Sequence, residues 1–300
     1  MGLLRRSGRA RSGLRRLALV LALGAAWGVP SGLAAQSEEP SAKAEALAAA
    51  EAGSEALPSG EEVARRINAR DQGQHSAQRL VMDLIEKDGF TRTRETRLFR
   101  IQEEEGRKLV IFYESPKTLE GTAFLTHDHF EAGREDDLWL YLPALRKTRR
   151  IAAADRGRAF LATDLSYEDM KLGTRVSLED YRWRTLGAEE VEDERRIVVE
   201  ARPVDEETAE ELGYGRVELR VDPSIWLVRR SDFEDPAGRA LKTARMEAVR
   251  QVDGIWTVHR IEVENHRTGH RTIFRSEDVD YEGEVPEDLF TPRALRRGAP

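Results

Sequence analysis

The sequence predicts a mainly β protein built on a long antiparallel sheet, with a few short helices. Apolar and charged residues alternate with a period of two in many segments, most clearly at residues 217–221, which read VELRV. Turn-forming residues such as KDG at 87–89 and DG at 253–254 separate these segments. We count ten or eleven strands in succession, a pattern typical of an antiparallel meander.

Helical patterns are scarce by comparison. Four short helices are predicted: residues 61–70 after the N-cap Ser59, residues 166–173 with Ser166 as N-cap and Asp169 at N3, and the weaker segments 206–212 and 287–295. An apolar sheet face can be buried in a two-sheet sandwich, in a closed barrel, or in a curled sheet covered by helices. These helices are too short to cover the whole face. A curled sheet would therefore have a hollow that is either filled by large side chains or used as an apolar pocket.

The first residues of the chain are typical of an export signal. Six arginines precede residue 17, an apolar stretch occupies residues 17–29, and small residues follow at 32–35. We interpret residues 1–35 as a cleaved signal peptide, of either the general or the twin-arginine type, which predicts an exported protein. Residues 36–58 are rich in Ala, Glu, Ser, Pro and Gly and are predicted to be a flexible linker. The folded domain is predicted at residues 59–296.

The charge and the absence of cysteine exclude several classes of protein. The formal net charge is −7, from 48 basic and 55 acidic residues. Removing the six arginines of residues 1–34 leaves 42 basic residues and a net charge of −13, which disfavours nucleic-acid binding. With no cysteine, the exported chain is expected to have neither disulfides nor a lipid-modified N-terminus, and to be soluble.

Sequence signals for catalysis are weak. The exported chain has no nucleophile elbow, dinucleotide or phosphate loop, or zinc-protease motif, and we predict no catalytic residue, cofactor or metal. The His127-Asp128-His129 segment is interpreted as a solvated hairpin tip rather than a metal site. Two groups of acidic residues are interpreted as solvated faces rather than acid–base pairs: Asp164, Glu168 and Asp169, and Glu206, Glu207, Glu210 and Glu211.

Two adjacent segments carry a family resemblance. Residues 138–151 read LWLYLPALRKTRRI, and residues 162–170 read ATDLSYEDM. With these segments the chain resembles the outer-membrane lipoprotein-sorting proteins, the LolA/LolB-like carriers of Gram-negative bacteria. Residues 64–71 and 285–293 resemble the same family more weakly, so that the resemblance covers about residues 61–296.

The resemblance implies a curved, unclosed antiparallel sheet, or half-barrel, with short helices covering an apolar concave face. It implies a soluble periplasmic carrier that binds acyl chains of a lipoprotein or another lipid and moves them between the inner and outer membranes, without a cofactor or a reaction. The implied partners are an inner-membrane exporter of the RND or ABC type and an outer-membrane acceptor. An outer-membrane β-barrel protein and, less favoured, an exported hydrolase are the alternatives.

Alternation along the predicted strands selects the candidate residues of the hollow. They are Leu80, Met82, Phe99, Ile111, Leu138, Leu140, Trp183, Val199, Leu219, Leu227 and Met246. The strand at residues 138–142 is apolar on both sides, which indicates contact with apolar groups on each face. Four cations follow it, Arg146, Lys147, Arg149 and Arg150, here called the basic hairpin. They are expected either to contact a membrane surface or partner, or to form a charged turn that prevents edge pairing.

Overall fold

The structure is a computed structural model that describes residues 56–131, 134–171 and 175–300. The predicted signal peptide and all but the last three residues of the predicted linker lie outside the described residues. The described chain forms one sheet of thirteen antiparallel strands. The strands are β1 (His75–Ile85), β2 (Thr91–Gln102), β3 (Gly106–Ser115), β4 (Ala123–His129), β5 (Asp137–Leu142), β6 (Lys147–Ile151), β7 (Tyr181–Val191), β8 (Glu194–Pro203), β9 (Arg216–Asp222), β10 (Leu227–Glu234), β11 (Ala240–Val252), β12 (Ile255–Asn265) and β13 (Arg271–Asp280).

The strand order confirms the predicted fold class. Strands β1 to β6 are neighbours in sequence order, as are β7 to β13, and pairing of β1 with β13 joins the two halves. No pairing between β6 and β7 exists in the described part of the chain, so the sheet is a curved, unclosed half-barrel with these two strands at its edges. The sequence pattern predicted fewer strands, because a short charged strand such as β6, KTRRI, shows no alternation.

Side chains on one face of the sheet form the main hydrophobic core. In register across four neighbouring strands, Leu98 lies opposite Ile111, Ile111 opposite Phe124, and Phe124 opposite Leu140. All four side chains are buried and belong to the larger apolar cluster, which continues through β8 to β13. This is the concave face, because the helix and the connecting segment that cross the half-barrel pack against it.

The opposite, convex face carries a second and smaller core. Here Phe99 lies opposite Val110, Val110 opposite Leu125, and Leu125 opposite Trp139. The C-terminal residues 285–299 pack over this row. Strand β5 is therefore apolar on both sides, as the sequence indicated.

Two α-helices are present among the described residues, and both were predicted. Helix α1 (Gly60–Ala69) begins after Ser59, whose Oγ accepts a hydrogen bond from the Glu62 amide at 3.2 Å. A side chain at Gly60 would collide with the β7 backbone, because a Cβ there would lie 2.4 Å from the Arg184 nitrogen. Helix α2 (Glu206–Leu212) is capped by Asp205 and ends at Gly213, which has a φ of 76°.

The other two predicted helices are shorter than expected. The segment that begins at Ser166 forms a 3₁₀ turn at Glu168–Lys171. Its capping interaction is reciprocal as predicted: Ser166 Oγ accepts from the Asp169 amide at 3.1 Å, and the Asp169 carboxylate accepts from the Ser166 amide at 2.7 Å. The C-terminal segment forms two separate turns, Glu287–Leu289 and Ala294–Arg296.

Residues 152–180 connect the two sheet edges, and we call them the covering segment. Phe160 and Leu165 of this segment are buried in the concave core. The ring of Phe160 packs edge-on against Phe124 of β4, with 5.0 Å between the ring centroids. Because it runs from β6 to β7, the covering segment lies across the open side of the half-barrel.

The convex face outside the second core is charged and largely ion-paired. Glu200 on β8, for example, accepts hydrogen bonds from Arg184, Arg202 and Arg216 at 3.0, 3.2 and 2.7 Å. Such cross-strand pairs keep this side of the sheet compatible with solvent. No helix among the described residues is long and apolar enough to span a membrane.

Contacts of the fold extend beyond the predicted domain limits of 59 and 296. Leu57 packs against the concave core, and the Pro58 carbonyl accepts a 2.6 Å hydrogen bond from the Thr185 hydroxyl. At the other end Ala299 packs against the convex core. The last residues of the predicted linker therefore belong to the folded unit.

Candidate ligand-binding hollow

Two cavities lie between the concave face and the described parts of the segments that cross it. The larger has a volume of about 400 Å³ and lies among strands β7 to β10, helix α2, the covering segment and the β4–β5 loop. The smaller has a volume of about 140 Å³ and lies among strands β1 to β3, β12, β13 and the covering segment. Asp169 lines both cavities. The half-barrel therefore holds a divided hollow rather than a fully packed interior.

The larger cavity has an apolar floor and a charged rim. Trp183, Leu219 and Phe233 contribute apolar surface from the sheet. On the rim, the Arg175 guanidinium lies 4.3 Å from the centre of the Phe130 ring and donates to the His129 carbonyl at 3.3 Å. These contacts attach the β4–β5 loop to the covering segment at the mouth of the cavity.

Arg156 is the central cation of this rim. Its side chain is 14% exposed, and its guanidinium nitrogens lie 3.1 Å from Glu211, 3.6 Å from Asp180 and 4.0 Å from Glu168. Burial works against the charge, but these three carboxylates outweigh it and hold the pKa of Arg156 above its ordinary value. Arg156 thus joins two parts of the covering segment to α2, instead of adding to the basic hairpin near which it lies in sequence.

A buried ion pair holds Asp169 of the covering segment in place between the two cavities. Asp169 is 4% exposed, and its carboxylate pairs with the ammonium of Lys242 from β11, which is equally buried. The Tyr214 hydroxyl donates to the same carboxylate at 2.6 Å, and Lys242 also donates to the Asp164 carbonyl at 2.9 Å. Burial alone would raise the pKa of Asp169, but Lys242 and the other donors outweigh it and lower that pKa.

The smaller cavity has a different polarity at its two ends. Leu80, Leu98 and Phe274 from the sheet face Leu165 and Met170 of the covering segment in its apolar part. Polar side chains line its other end: Arg70, Gln72, Ser76, Arg100 and Tyr281, whereas Ser276 lies opposite Leu80 in the strand pairing. This arrangement offers one apolar and one polar region to a single ligand.

Ten of the eleven residues predicted for the hollow lie on the concave side. Trp183 and Leu219 line the larger cavity, and Leu80 lines the smaller. Seven others are buried in the concave core: Met82, Ile111, Leu138, Leu140, Val199, Leu227 and Met246. Contact between these residues and a ligand stays a prediction.

Phe99 was assigned to the wrong face. It is 4% exposed and lies in the convex core beside Phe112, with 6.3 Å between the ring centroids. Its neighbour Leu98 takes the concave position on β2. Strand β2 has apolar residues at both 98 and 99, so alternation alone did not select the inward side chain.

The basic hairpin lies at one edge of the sheet. Arg146 and Lys147 are exposed and form no ion pair with any described residue, whereas Arg149 and Arg150 pair with Asp155 and Asp137. The side chains of Arg149 and Arg150 are 63% and 60% exposed. Both expected roles, surface contact and protection of the sheet edge, fit an exposed edge strand.

The acidic groups were interpreted as solvated, and this is wrong for all three residues of the first group, including Glu168, whose side chain is 13% exposed and lies beside Arg156. The Asp164 side chain is only 5% exposed and accepts 2.6 Å hydrogen bonds from His270 and Thr272. Asp169 is buried against Lys242, as described above. Of the second group, Glu206, Glu207 and Glu210 are exposed, and Glu211 is half-buried beside Arg156.

The histidines of the HDH segment bind different neighbours. His127 packs edge-on against Trp139 and lies 2.9 Å from the Phe290 carbonyl, while His129 lies 3.1 Å from Asp137. Asp128 between them is buried and accepts two hydrogen bonds from Arg107. No group of three or more potential metal-ligating side chains is present within the described ranges.

The sequence reasoning missed three buried cations of the hollow. Lys242 falls on the same face of β11 as Ala244, and Arg100 falls on the same face of β2 as Leu98. A cation that shares a strand face with apolar residues indicates a buried charge, and this pattern can be read from the sequence. For Arg156 no such signal existed, because it lies in an irregular connection.

The geometry defines a class of protein: a half-barrel with an apolar, partly open concave face and a segment that crosses it. Three solved structures have this fold. An outer membrane lipoprotein-sorting protein domain from Vibrio parahaemolyticus is 30% identical with a TM-score of 0.72, over 79% of this chain and 98% of that one. A DUF1329 family protein from Desulfovibrio piger is 26% identical with a TM-score of 0.72, over 79% and 97%. A LolA superfamily protein from Nitrosomonas europaea is 20% identical with a TM-score of 0.59, over 78% and 98%.

The chain belongs to the family of outer-membrane lipoprotein-sorting proteins. A family model described as "Uncharacterized protein" matches residues 105–297. The comparison with curated proteins gave no match. The resemblance noted in the sequence is thus confirmed.

Proposed function

We propose that the protein is a periplasmic carrier that binds the acyl chains of a lipoprotein or another lipid and moves them from the inner to the outer membrane. It would receive its cargo from an inner-membrane exporter and deliver it to an outer-membrane acceptor. The proposed role is binding and transfer, and no covalent chemistry is assigned. Residues 1–35 would direct export, and residues 36–55 would form a linker before the folded unit.

The observation that carries the proposal is the divided apolar hollow on the concave face. Cavities of about 400 and 140 Å³ remain there, although the covering segment already fills much of the space. Met82 and Ile111 are fully buried beneath this segment. A long acyl chain that reached them would have to displace the covering segment. The acyl chain would then take the place of the apolar side chains of that segment in the concave core.

Burial of methylene groups would supply the affinity. Each buried CH₂ contributes about 0.8 kcal/mol, so binding should strengthen with chain length and depend little on salt. The polar contacts of Asp169 and Arg156 would hold the covering segment in place until cargo enters. These two anchors oppose displacement of the covering segment, while burial of the acyl chain favours it.

The basic hairpin would contact the membrane. Leu145 at its tip is 62% exposed and lies next to Arg146 and Lys147, which have no ion-pair partner among the described residues. An apolar tip beside exposed cations suits a transient contact with an anionic membrane surface. Such a contact would place the half-barrel at the membrane during loading or release.

Mass spectrometry of organic extracts from the purified native protein tests the proposal most directly. A lipid or acylated protein should co-purify in an amount comparable to the protein. Extracts that contain only traces, together with no uptake of a fluorescent fatty acid by the delipidated protein, would refute the carrier function.

A pair of tryptophan variants tests the position of the ligand. Trp183 is half-buried on the concave side and lines the larger cavity, whereas Trp139 is half-buried in the convex core. Trp183→Ala should weaken binding of the fluorescent fatty acid several-fold, and Trp139→Ala should not. Equal binding by both variants, with folding confirmed by circular dichroism, would exclude the larger cavity as the site.

A further inference from the structure

We infer that the smaller cavity binds the anionic headgroup of an amphiphile, with Arg100 as the headgroup ligand and the apolar part of the cavity around the first carbons of its chain. This inference rests on the proposed function and specifies the class of cargo. The shared chemistry is a carboxylate or phosphate attached to an alkyl chain.

Arg100 is a buried cation that no carboxylate of the described residues neutralises by an ion pair. It is 5% exposed on the concave face of β2 and donates only to backbone carbonyls, that of Gly73 at 3.1 Å and that of Gln72. No ion pair joins Arg100 to a carboxylate in the part of the chain that the structure describes. A buried cation without a counter-charge is costly, and a bound anion would remove that cost.

The neighbouring Arg107 is a buried cation with a purely structural role, and it serves as a comparison for Arg100. Arg107, near Arg100 on the adjacent strand β3, is 3% exposed and donates twice to the buried Asp128, at 3.0 and 2.6 Å. Its charge is neutralised within the protein. Arg100 has the same burial but no hydrogen-bonded carboxylate among the described residues, and Asp71, the acid near it, affects its charge less than burial and Arg107 do, so its positive charge is available to a ligand.

Positive charge is concentrated around Arg100, where the cations Arg107 and Arg70 lie close by and Asp71 offsets them only in part. Arg70 lines the same end of the cavity and donates to the Trp256 carbonyl at 2.9 Å. Burial, followed by the nearby cations Arg107 and Arg70, lowers the pKa of Arg100 to about 10. At neutral pH the guanidinium is still protonated, and it would attract an anion strongly in these apolar surroundings.

The shape of the cavity suits a headgroup with an alkyl chain. Its polar end carries the hydroxyls of Ser76 and Tyr281, which are donors suited to carboxylate or phosphate oxygens, and Ser276 adds a hydroxyl opposite Leu80 in the strand pairing. Its apolar end is closed by Leu165 and Met170 of the covering segment. A volume of about 140 Å³ is small for a complete lipid, so the site would hold the headgroup and the nearest carbons, and the rest of the chain would follow the concave face.

Three probes of equal chain length test the inference on the delipidated protein: hexadecanoate, hexadecyl phosphate and the neutral hexadecanol. The wild type should bind at least one of the two anions about tenfold more tightly than the alcohol, which is the contribution expected of a charge-assisted hydrogen bond. Arg100→Met should abolish this preference and leave alcohol binding unchanged, while Arg100→Lys should retain part of it. Arg94→Met is the matched control, since Arg94 is a buried arginine of the same strand that donates to the Leu161 carbonyl and lies outside the cavity lining.

The outcomes separate the headgroup site from the carrier function. Equal binding of acid, phosphate and alcohol by the wild type, or an unchanged preference in Arg100→Met, would overturn the headgroup site alone. Binding of none of the probes would refute the carrier function as well. Displacement of hexadecanoate by inorganic phosphate or acetate at equal concentration would show a free-anion site and overturn the assignment of an amphiphile.

Discussion

The buried pair of Asp169 and Lys242 allows a quantitative test of how the covering segment is held. Asp169→Asn keeps the shape of the side chain and removes its charge. Lys242, whose side chain is 5% exposed, would then lose its counter-charge and keep only neutral partners: the Asp164 carbonyl at 2.9 Å, the amide oxygen of the new side chain, and the rings of Tyr214 and Phe233. Tyr214 would donate to a neutral amide oxygen instead of a carboxylate.

The expected loss of stability follows from this burial. Removing one partner of a buried ion pair costs about 3–5 kcal/mol, since the remaining charge stays in a medium of low polarity. For a folded unit of this size, each kcal/mol lowers the unfolding midpoint by about 2–4 °C. We therefore expect the midpoint of Asp169→Asn to fall by about 6–20 °C.

Urea and thermal unfolding of a double-mutant cycle would measure the coupling. Asp169→Asn and Lys242→Met should each destabilise strongly, and the double variant should cost about 2 kcal/mol less than the two single changes together. Arg65→Gln is the control: Arg65 pairs with Glu61 at 2.5 Å, but both side chains are more than half exposed, so loss of this pair should cost below about 1 kcal/mol. A single-variant loss as small as that of the control, or strict additivity in the cycle, would refute the assigned role of the pair.

The same pair should make the stability of the wild type depend on pH. The pKa of Asp169 is lower in the folded state than the ordinary value of about 3.9, so its contribution is complete above that value. It is lost as the pH falls through the folded-state pKa, because the unfolded chain then binds the proton more readily. The difference in unfolding free energy between the wild type and Asp169→Asn should therefore shrink as the pH is lowered below about 4.

Two further predictions concern the ends of the molecule and its charged edge. Replacing all four cations of the basic hairpin with Gln should slow lipid transfer to anionic vesicles at low salt. The unfolding midpoint should stay nearly unchanged, because exposed charges add little stability. If the variant transfers lipid as fast as the wild type at low salt, the hairpin is only a turn that protects the sheet edge. A chain that begins at Ala56 should unfold at the same midpoint as one that begins at Gln36, whereas a chain that begins at Ser59 should unfold a few degrees lower, because it loses the Leu57 packing and the Pro58–Thr185 hydrogen bond; equal midpoints for all three would show that residues 56–58 contribute nothing.

The sequence alone determined the fold class and most of its elements. Period-two alternation and turn residues are local properties, so the strands and the antiparallel order could be predicted from them. Helix capping is local as well: Ser59 begins α1 as predicted. The family resemblance added the unclosed curvature, which no local pattern contains.

Only the tertiary structure decided which apolar residues face the hollow where a strand is apolar on both sides. Leu98 and Phe99 are equally suited to burial, and the C-terminal residues 285–299 cover the side that holds Phe99. That choice depends on a segment almost two hundred positions away in the chain. Alternation requires two neighbouring residues of a strand to face opposite sides of the sheet. Only the packing of distant segments determines which of the two faces the hollow.

The polar groups of the hollow depend on tertiary structure for the same reason. Asp169 and Lys242 are 73 positions apart in sequence, and each belongs to a charged residue type that is usually solvated. Arg107 is neutralised by Asp128, whereas Arg100 on the neighbouring strand donates only to backbone carbonyls. Sequence determines which charges exist, but the distance between charges decides whether each is neutralised, and that distance is set only when the sheet has curled and the covering segment has crossed it.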